Sequence, residues 1–276
     1  MPIAAMGPDP PWWLHRIRAA LEKASRPSGS VARPAPVRFM SPQQTARYLK
    51  QDPDRYVASM TDADFTARRS SGAEAYKAAA AAAALDAKPS QETLLRVARG
   101  ATHADAFFSH LQYDEVDGAA IARLPWLIAF TRGDAYEDGL PHTRGECVFL
   151  SLDHLPQSER SLVATLVHEK VHLYQRANAA IMRKWLERRG YQATRLHGSA
   201  AAAAAYRSNP DMNGWHYRKC DPMGASCSKE MGAPYSSGSP RRITDVVHGT
   251  DGPNEHPFEK MAYDIEHLFL SSSPAQ

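Results

Sequence analysis

The sequence predicts a predominantly helical α+β protein, a small sheet packed on one long helix. Three observations carry this. Helix-start signals and apolar residues at helical spacing recur between residues 41 and 113. Two short apolar runs, LPWLIAFT and CVFLSL, then read as strands. A long segment from Ser158 surrounds the stretch LVHEKVHLYQR with apolar residues.

The chain has 276 residues and 43% hydrophobic content, enough for one substantial core. Its formal net charge of +3 comes from nearly balanced acids and bases, so nucleic acid is not expected as a partner. No apolar run approaches the roughly 18 residues of a membrane span. No secretory signal is read at the N-terminus, and an intracellular, cytoplasmic location is expected. Three cysteines are too few for a disulfide framework. Cys220 and Cys227 either pair across KCDPMGASC or stay free, and the sparse count favours free thiols.

Residues 1–36, rich in proline and arginine, read as a poorly ordered arm with one short helix around WWLHRIRAALEKAS. An organellar targeting helix is the alternative, weakened by Asp9 and Glu22. Residues 37–115 read as a helical N-terminal region. Ser41-Pro42-Gln43-Gln44 starts a helix with a capping box and proline in its first turn. Thr61-Asp62-Ala63-Asp64 starts a second, extended to about Leu85 by the alanine run Ala78 to Ala84. Pro89-Ser90 starts a third.

Residues 116–276 read as a metal-binding catalytic region. Leu124 to Thr131 and Cys147 to Leu152 are its strands, and DAYEDGLPHTRGE between them is read as loop. Pro156 and Ser158 open a helix expected to run to about Arg189 and end at Gly190. RITDVV, Arg241 to Val247, reads as a short strand. A last helix from near Asn254 carries Phe258, Met261, Ala262, Ile265 and Phe269 on one side.

In the long helix, Leu162, Val163, Leu166, Val167, Val171 and Tyr174 demand burial, so His168, Glu169 and His172 need a reason to be there. Residues four apart share a helix face, and both imidazoles can thus point at one tetrahedral ion. Glu169 stands where a carboxylate can take a proton from a metal-activated water. A solvated surface helix is the bland alternative, and the flanking valines and leucines argue against it.

LVHEKVHLYQ resembles the active-site helix of the zincin metallopeptidases, and the strand-then-helix order is similar to that clan's upper subdomain. The resemblance implies a zincin-like fold, one zinc ion, His168 and His172 as ligands and Glu169 as base. It also implies a peptide or protein substrate and an edge strand, Cys147 to Leu152, that pairs with an extended peptide. Gln175 and Asn178 stand where metzincins have glycine and histidine, and Glu187 is not at the spacing of thermolysin-type enzymes. The third ligand is therefore expected from NEHPFEKMAYDIEHLF. HPFEKMAY resembles the second-helix glutamate signature of gluzincin-like proteins, which implies Glu259. It is also similar to uncharacterised metallopeptidase-like proteins of large DNA viruses and algae. Glu255, Glu266 and His256 remain competing ligands.

Tyr263, one turn past Glu259, is expected to touch the site. Tyr217, Tyr235 and His248 are weaker candidates for stabilising an oxyanion, and His142 and Arg144 for contacting substrate. Two other readings stay open: a non-catalytic binding or structural module, and a deformylase-like amidase using Cys147. For the last, the order of Gly145 and Glu146 is inverted and Val171 replaces the needed aspartate, so Cys147 fits a buried strand residue better.

Overall fold

A computed structural model describes residues 35–114, 116–196, 206–221, 226–247 and 252–272. Residues 1–34 of the N-terminal arm lie outside the described residues, as does His248. The architecture is α+β, with a small mixed sheet among helices. No described helix is long and apolar enough to cross a membrane.

The chain enters as strand β1 (Val37–Phe39), a three-residue element too short to read from sequence, and turns into α1 (Pro42–Gln51). Ser41 caps α1, its hydroxyl accepting from the Gln44 amide while the Gln44 side chain accepts from the Ser41 amide. Thr61 and Asp64 repeat the capping box at α2 (Asp62–Ala67). This helix does not continue to Leu85. Arg69 takes a left-handed conformation and Gly72, at φ 144°, restarts the chain as α3 (Ala73–Leu85). The alanine run lies in α3, where Ala80, Ala81 and Ala84 are buried with Leu49, Tyr76 and Phe149. Small side chains let α3 come close to its neighbours.

Ser90 caps α4 (Gln91–His110). A two-stranded ribbon, β2 (Gln112–Tyr113) with β3 (Val116–Asp117), leads through α5 (Gly118–Arg123) into β4 (Trp126–Thr131). The region read as loop after β4 contains β5 (His142–Arg144). A tight turn then gives β6 (Cys147–Ser151). Its residues are polar, and burial rather than composition makes β5 a strand: all three are buried.

The sheet order is β1-β4-β6-β5, with β1 and β6 parallel to β4 and β5 antiparallel to β6. The Cys147 run is therefore an inner strand and not an edge; both its neighbours are occupied, and β5 is the edge. Alternation puts Ala129 and Phe149 on the α1/α3 face, and Ile128, Val148 and Leu150 on the opposite one.

The long helix comes in two pieces. Ser158 caps α6 (Glu159–Ala177), and α7 (Ala179–Arg188) follows. Asn178 interrupts them: at φ −125° it leaves the helical region, and its side chain donates to the Tyr174 carbonyl at 3.0 Å. Gly190, at φ 74°, ends α7; a side chain there would collide with the Cys220 carbonyl. Where α4 passes α6, Gly100 faces Leu162 and Leu166. Behind the His168–His172 turn, Lys170 of α6 is fully buried against Asp105 and 4.4 Å from the Trp126 ring, tying α6 to α4 and β4.

Strands β7 (Tyr191–Leu196) and β8 (Trp215–Lys219) form an antiparallel ribbon. Just beyond it Cys220 and Cys227 pair in a disulfide, correcting the free-thiol expectation. The cause is a continued antiparallel return: the Ser228 amide bonds to the Lys219 carbonyl and Asp221 to Ser226, which sets the two cysteines opposite one another. RITDVV is not a strand. Asp245 accepts from the backbone amides of Arg241 and Arg242 and curls the segment into a turn. The last helix, α8 (Pro257–Ser272), buries Phe258, Met261, Ala262, Ile265 and Phe269, the face read from its spacing. It packs along α6.

Candidate metal centre

The apolar face of α6 presses its central turn against α8, and there His168, His172 and Glu259 meet. One ligand atom from each lies within 4.8 Å of the others, and they are the only such histidine, cysteine or acid trio among the described residues. Glu259 Oε2 is 3.3 Å from His168 Nε2 and 3.8 Å from His172 Nε2. Small Ala262, fully buried one turn on, permits this helix approach.

Each imidazole is aimed by its other nitrogen. His168 Nδ1 lies 3.0 Å from Glu266 Oε2 and His172 Nδ1 lies 2.8 Å from Gln175 Oε1. Gln175 in turn donates to the Phe258 carbonyl at 3.0 Å, locking α6 to α8. Both Nε2 atoms therefore face the carboxylate. His172 Nε2 is buried without a hydrogen-bond partner. A buried polar atom left so is costly unless something else fills its need. Two imidazole nitrogens and one carboxylate oxygen are the donor set that zinc takes, so the residues fit that ion.

The charges agree. Burial opposes the ionised form of Glu259, yet the two imidazoles hold its carboxyl down to about 2. Burial likewise opposes protonation of His168, but its bonds to Glu259 and Glu266 keep the imidazole well above its usual range. Burial pushes His172 down to about 4, against the pull of Glu259.

Glu169 sits beside the trio, 3% exposed. Burial raises its carboxyl to about 7, partly offset by His168 and by the Thr143 hydroxyl, which donates to Oε2 at 2.9 Å. Tyr263 sets its ring edge-on against His168, with centroids 4.6 Å apart, and remains half-exposed on the cleft. The cleft has a volume of about 230 Å³ and is lined by His168, Glu169, Glu259 and Tyr263 together with residues 140–142 and 207–211.

The competing ligands are engaged elsewhere. Glu255 forms an ion pair with Arg207. His256 Nδ1 accepts from the Phe258 amide and Nε2 lies 3.2 Å from Asn213 Oδ1, so both nitrogens are used. Glu266 supports His168 from behind. Of the oxyanion candidates, Tyr217 packs on His256 and accepts from Asn213. Tyr235 belongs to a buried cluster with Asp64 and Arg68. Neither lines the cleft. His142 does, with Nδ1 2.9 Å from the Leu140 carbonyl. Arg144 does not: it is fully buried, held by Asp52, Asp54 and Tyr136. Cys147 is buried beside Met40 on the α1/α3 side of the sheet and takes no part in the trio.

Sequence reading missed three contributors. Thr143 orients the Glu169 carboxylate. Asn209 Nδ2 donates to Glu259 Oε1 at 2.7 Å, which leaves Oε2 for the histidines. Asp211 accepts from the Thr143 amide at 2.7 Å. Asn209 and Asp211 lie in a loop without periodicity, so nothing local marks them. Compared with family models, curated proteins and solved structures, the chain matches none.

Proposed function

We propose that the protein is a zincin-like, zinc-dependent hydrolase of peptide bonds. The observation that carries the reading is the convergence of two imidazole Nε2 atoms and one carboxylate oxygen within 4.8 Å, on a helix turn that also bears Glu169. The mixed sheet whose inner strand β6 leads into α6 supports it. His168, His172 and Glu259 would hold one zinc ion. Zinc bound in this way lowers the pKa of a water towards roughly 7 and polarises a substrate carbonyl.

The chain's own residues do the rest. Glu169 takes the water proton at a carboxylate oxygen and returns it to the leaving amine. Thr143 fixes that carboxylate by donating to Oε2. Glu266 and Gln175 keep the imidazoles turned so that each Nε2 lone pair is available. Tyr263, packed on His168 at the mouth, faces an arriving carbonyl from the α8 side.

The test pairs metal content with turnover. Glu169→Gln is expected to keep one equivalent of zinc by elemental analysis and to lose hydrolysis by at least about 10³-fold. His172→Ala is expected to lose both. Full turnover in Glu169→Gln would refute the mechanism, and a wild-type chain that binds no zinc would remove the enzyme altogether.

A further inference from the structure

The resemblance to zincins implies an edge strand to which an extended peptide adds. Here that edge is β5, and it is closed. In an antiparallel pair only alternate residues turn their N–H and C=O groups outwards; in β5 that residue is Thr143. Its amide donates to Asp211 Oδ1 at 2.7 Å and its carbonyl accepts from Arg176 at 2.9 Å. Thr143 is fully buried. No backbone group of β5 is left for an incoming strand.

The closing segment, Arg207 to Asp211, is a wall and not a flap. The Ser208 amide and hydroxyl donate to Asp64 at 2.7 and 2.8 Å, and its carbonyl accepts from Arg68 at 2.9 Å. Arg207 pairs with Glu255, Asn209 donates to Glu259, and the Pro210 carbonyl accepts from Arg176. Most of these partners are buried and charged. Lifting the segment would take partners from Asp64, Arg68 and Glu255 inside the protein.

The room that remains is small. About 230 Å³ is below the roughly 300–1,000 Å³ of sites that enclose drug-sized ligands. Its lining is mainly polar: Glu137 and Glu255 are already paired with Arg68 and Arg207, and Leu140 and Tyr263 add a smaller apolar part at the mouth. We infer that the substrate is a short peptide or small amide of no more than about two residues, held without strand addition. This rests on the zinc-hydrolase reading and narrows it to chain ends or small molecules.

The experiment uses the zinc-loaded full chain and a series of peptide hydroxamates carrying one, two, four and six residues, titrated calorimetrically. Affinity is expected to level off by two residues, with less than about a threefold change in Kd from two to six. A tenfold or greater gain over that interval, or no binding at any length, overturns the inference while leaving zinc binding intact. Hydrogen exchange of the Thr143 amide in the metal-free chain reads the wall directly. Protection equal to that of β6 supports the closed edge, and exchange at the rate of an exposed loop overturns it. Failure to take up zinc at all is a different result: it sinks the hydrolase reading and this inference with it.

Discussion

Two buried polar clusters flank the cleft, and they differ in one respect. Around Arg68, every donor has an acceptor. Its guanidinium reaches both oxygens of Glu137 at 3.0 and 2.7 Å, Tyr56 at 2.8 Å, the Ser208 carbonyl and Asp64. Tyr76 completes Glu137. Around His168, His172 and Glu259, both Nε2 atoms converge on a single oxygen at 3.3 and 3.8 Å, and His172 Nε2 is left without a hydrogen bond. Both clusters join distant segments by buried charge. The first has nothing left to bind, so it is architecture. The second keeps an unmet valence, and such a remainder in a folded core marks a site for something else.

The sharpest way to break this contrast is to remove one member from each cluster and measure unfolding in a chelator. Arg68→Met strands the Glu137 carboxylate and is expected to cost about 3–5 kcal/mol. His172→Leu deletes an atom that already lacked a partner and gives up one bond to Gln175. Its cost is expected to stay near 1 kcal/mol, while zinc binding is lost. Equal losses in the two variants would mean that saturation does not separate scaffold from site.

The two clusters also differ in how far they can be read from sequence. HEKVH on an apolar helix brings His168, Glu169 and His172 to one turn because their spacing is local, and the expected meeting of Glu259 with the two histidines is what the structure shows. The helix starts at Ser41, Thr61, Ser90 and Ser158 are legible for the same reason: each cap is closed by the residue three positions on. The Arg68 cluster is not legible, since Glu137 lies 69 positions away and Ser208 140. Strand β5 escapes because HTR has no apolar pattern; its neighbours bury it. Asn209 and Asp211 act through a loop whose course is set by Asp64, Arg68 and Arg176. The breaks at Gly72 and Asn178 turn on backbone angles that propensity does not encode. Pairing of Cys220 with Cys227 depends on an antiparallel return beyond β8, which the cysteine count does not reveal.

Acid offers a smaller perturbation that touches both kinds of group. His256 has a partner for each nitrogen and is neutral in the fold; burial lowers it to about 3. Its folded pKa lies below the unfolded value near 6.5. As pH falls below 6.5 the unfolded chain takes up a proton that the folded chain refuses, so stability declines until about pH 3. His142, lowered by burial to about 4, acts in the same direction. His168 adds no slope there: held well above its usual range, it is protonated in both states. Chelator-treated protein is therefore expected to lose about 2 kcal/mol per neutral buried histidine between pH 6.5 and 5. His256→Gln should reduce the acid-side loss by that amount relative to wild type, and an identical profile in the variant would contradict the buried neutral state.

The smallest expected effect tests whether the two clusters are coupled. The segment that carries Ser208 to Arg68 carries Asn209 to Glu259 one residue later, so the saturated cluster holds in place the donor that orients the unsaturated one. Asn209 contacts one oxygen of the carboxylate and none of the histidines. Removing it leaves the ligand present but free to rotate. Asn209→Ala is therefore expected to weaken zinc by about 10–100-fold in a chelator competition, with the stoichiometry still one per chain. Asn209→Asp should be worse, because it sets a second carboxylate at 2.7 Å from the first unless a proton is shared. An unchanged zinc Kd in both variants would show that the helix contact alone fixes Glu259. The loop would then serve only to close the edge of β5.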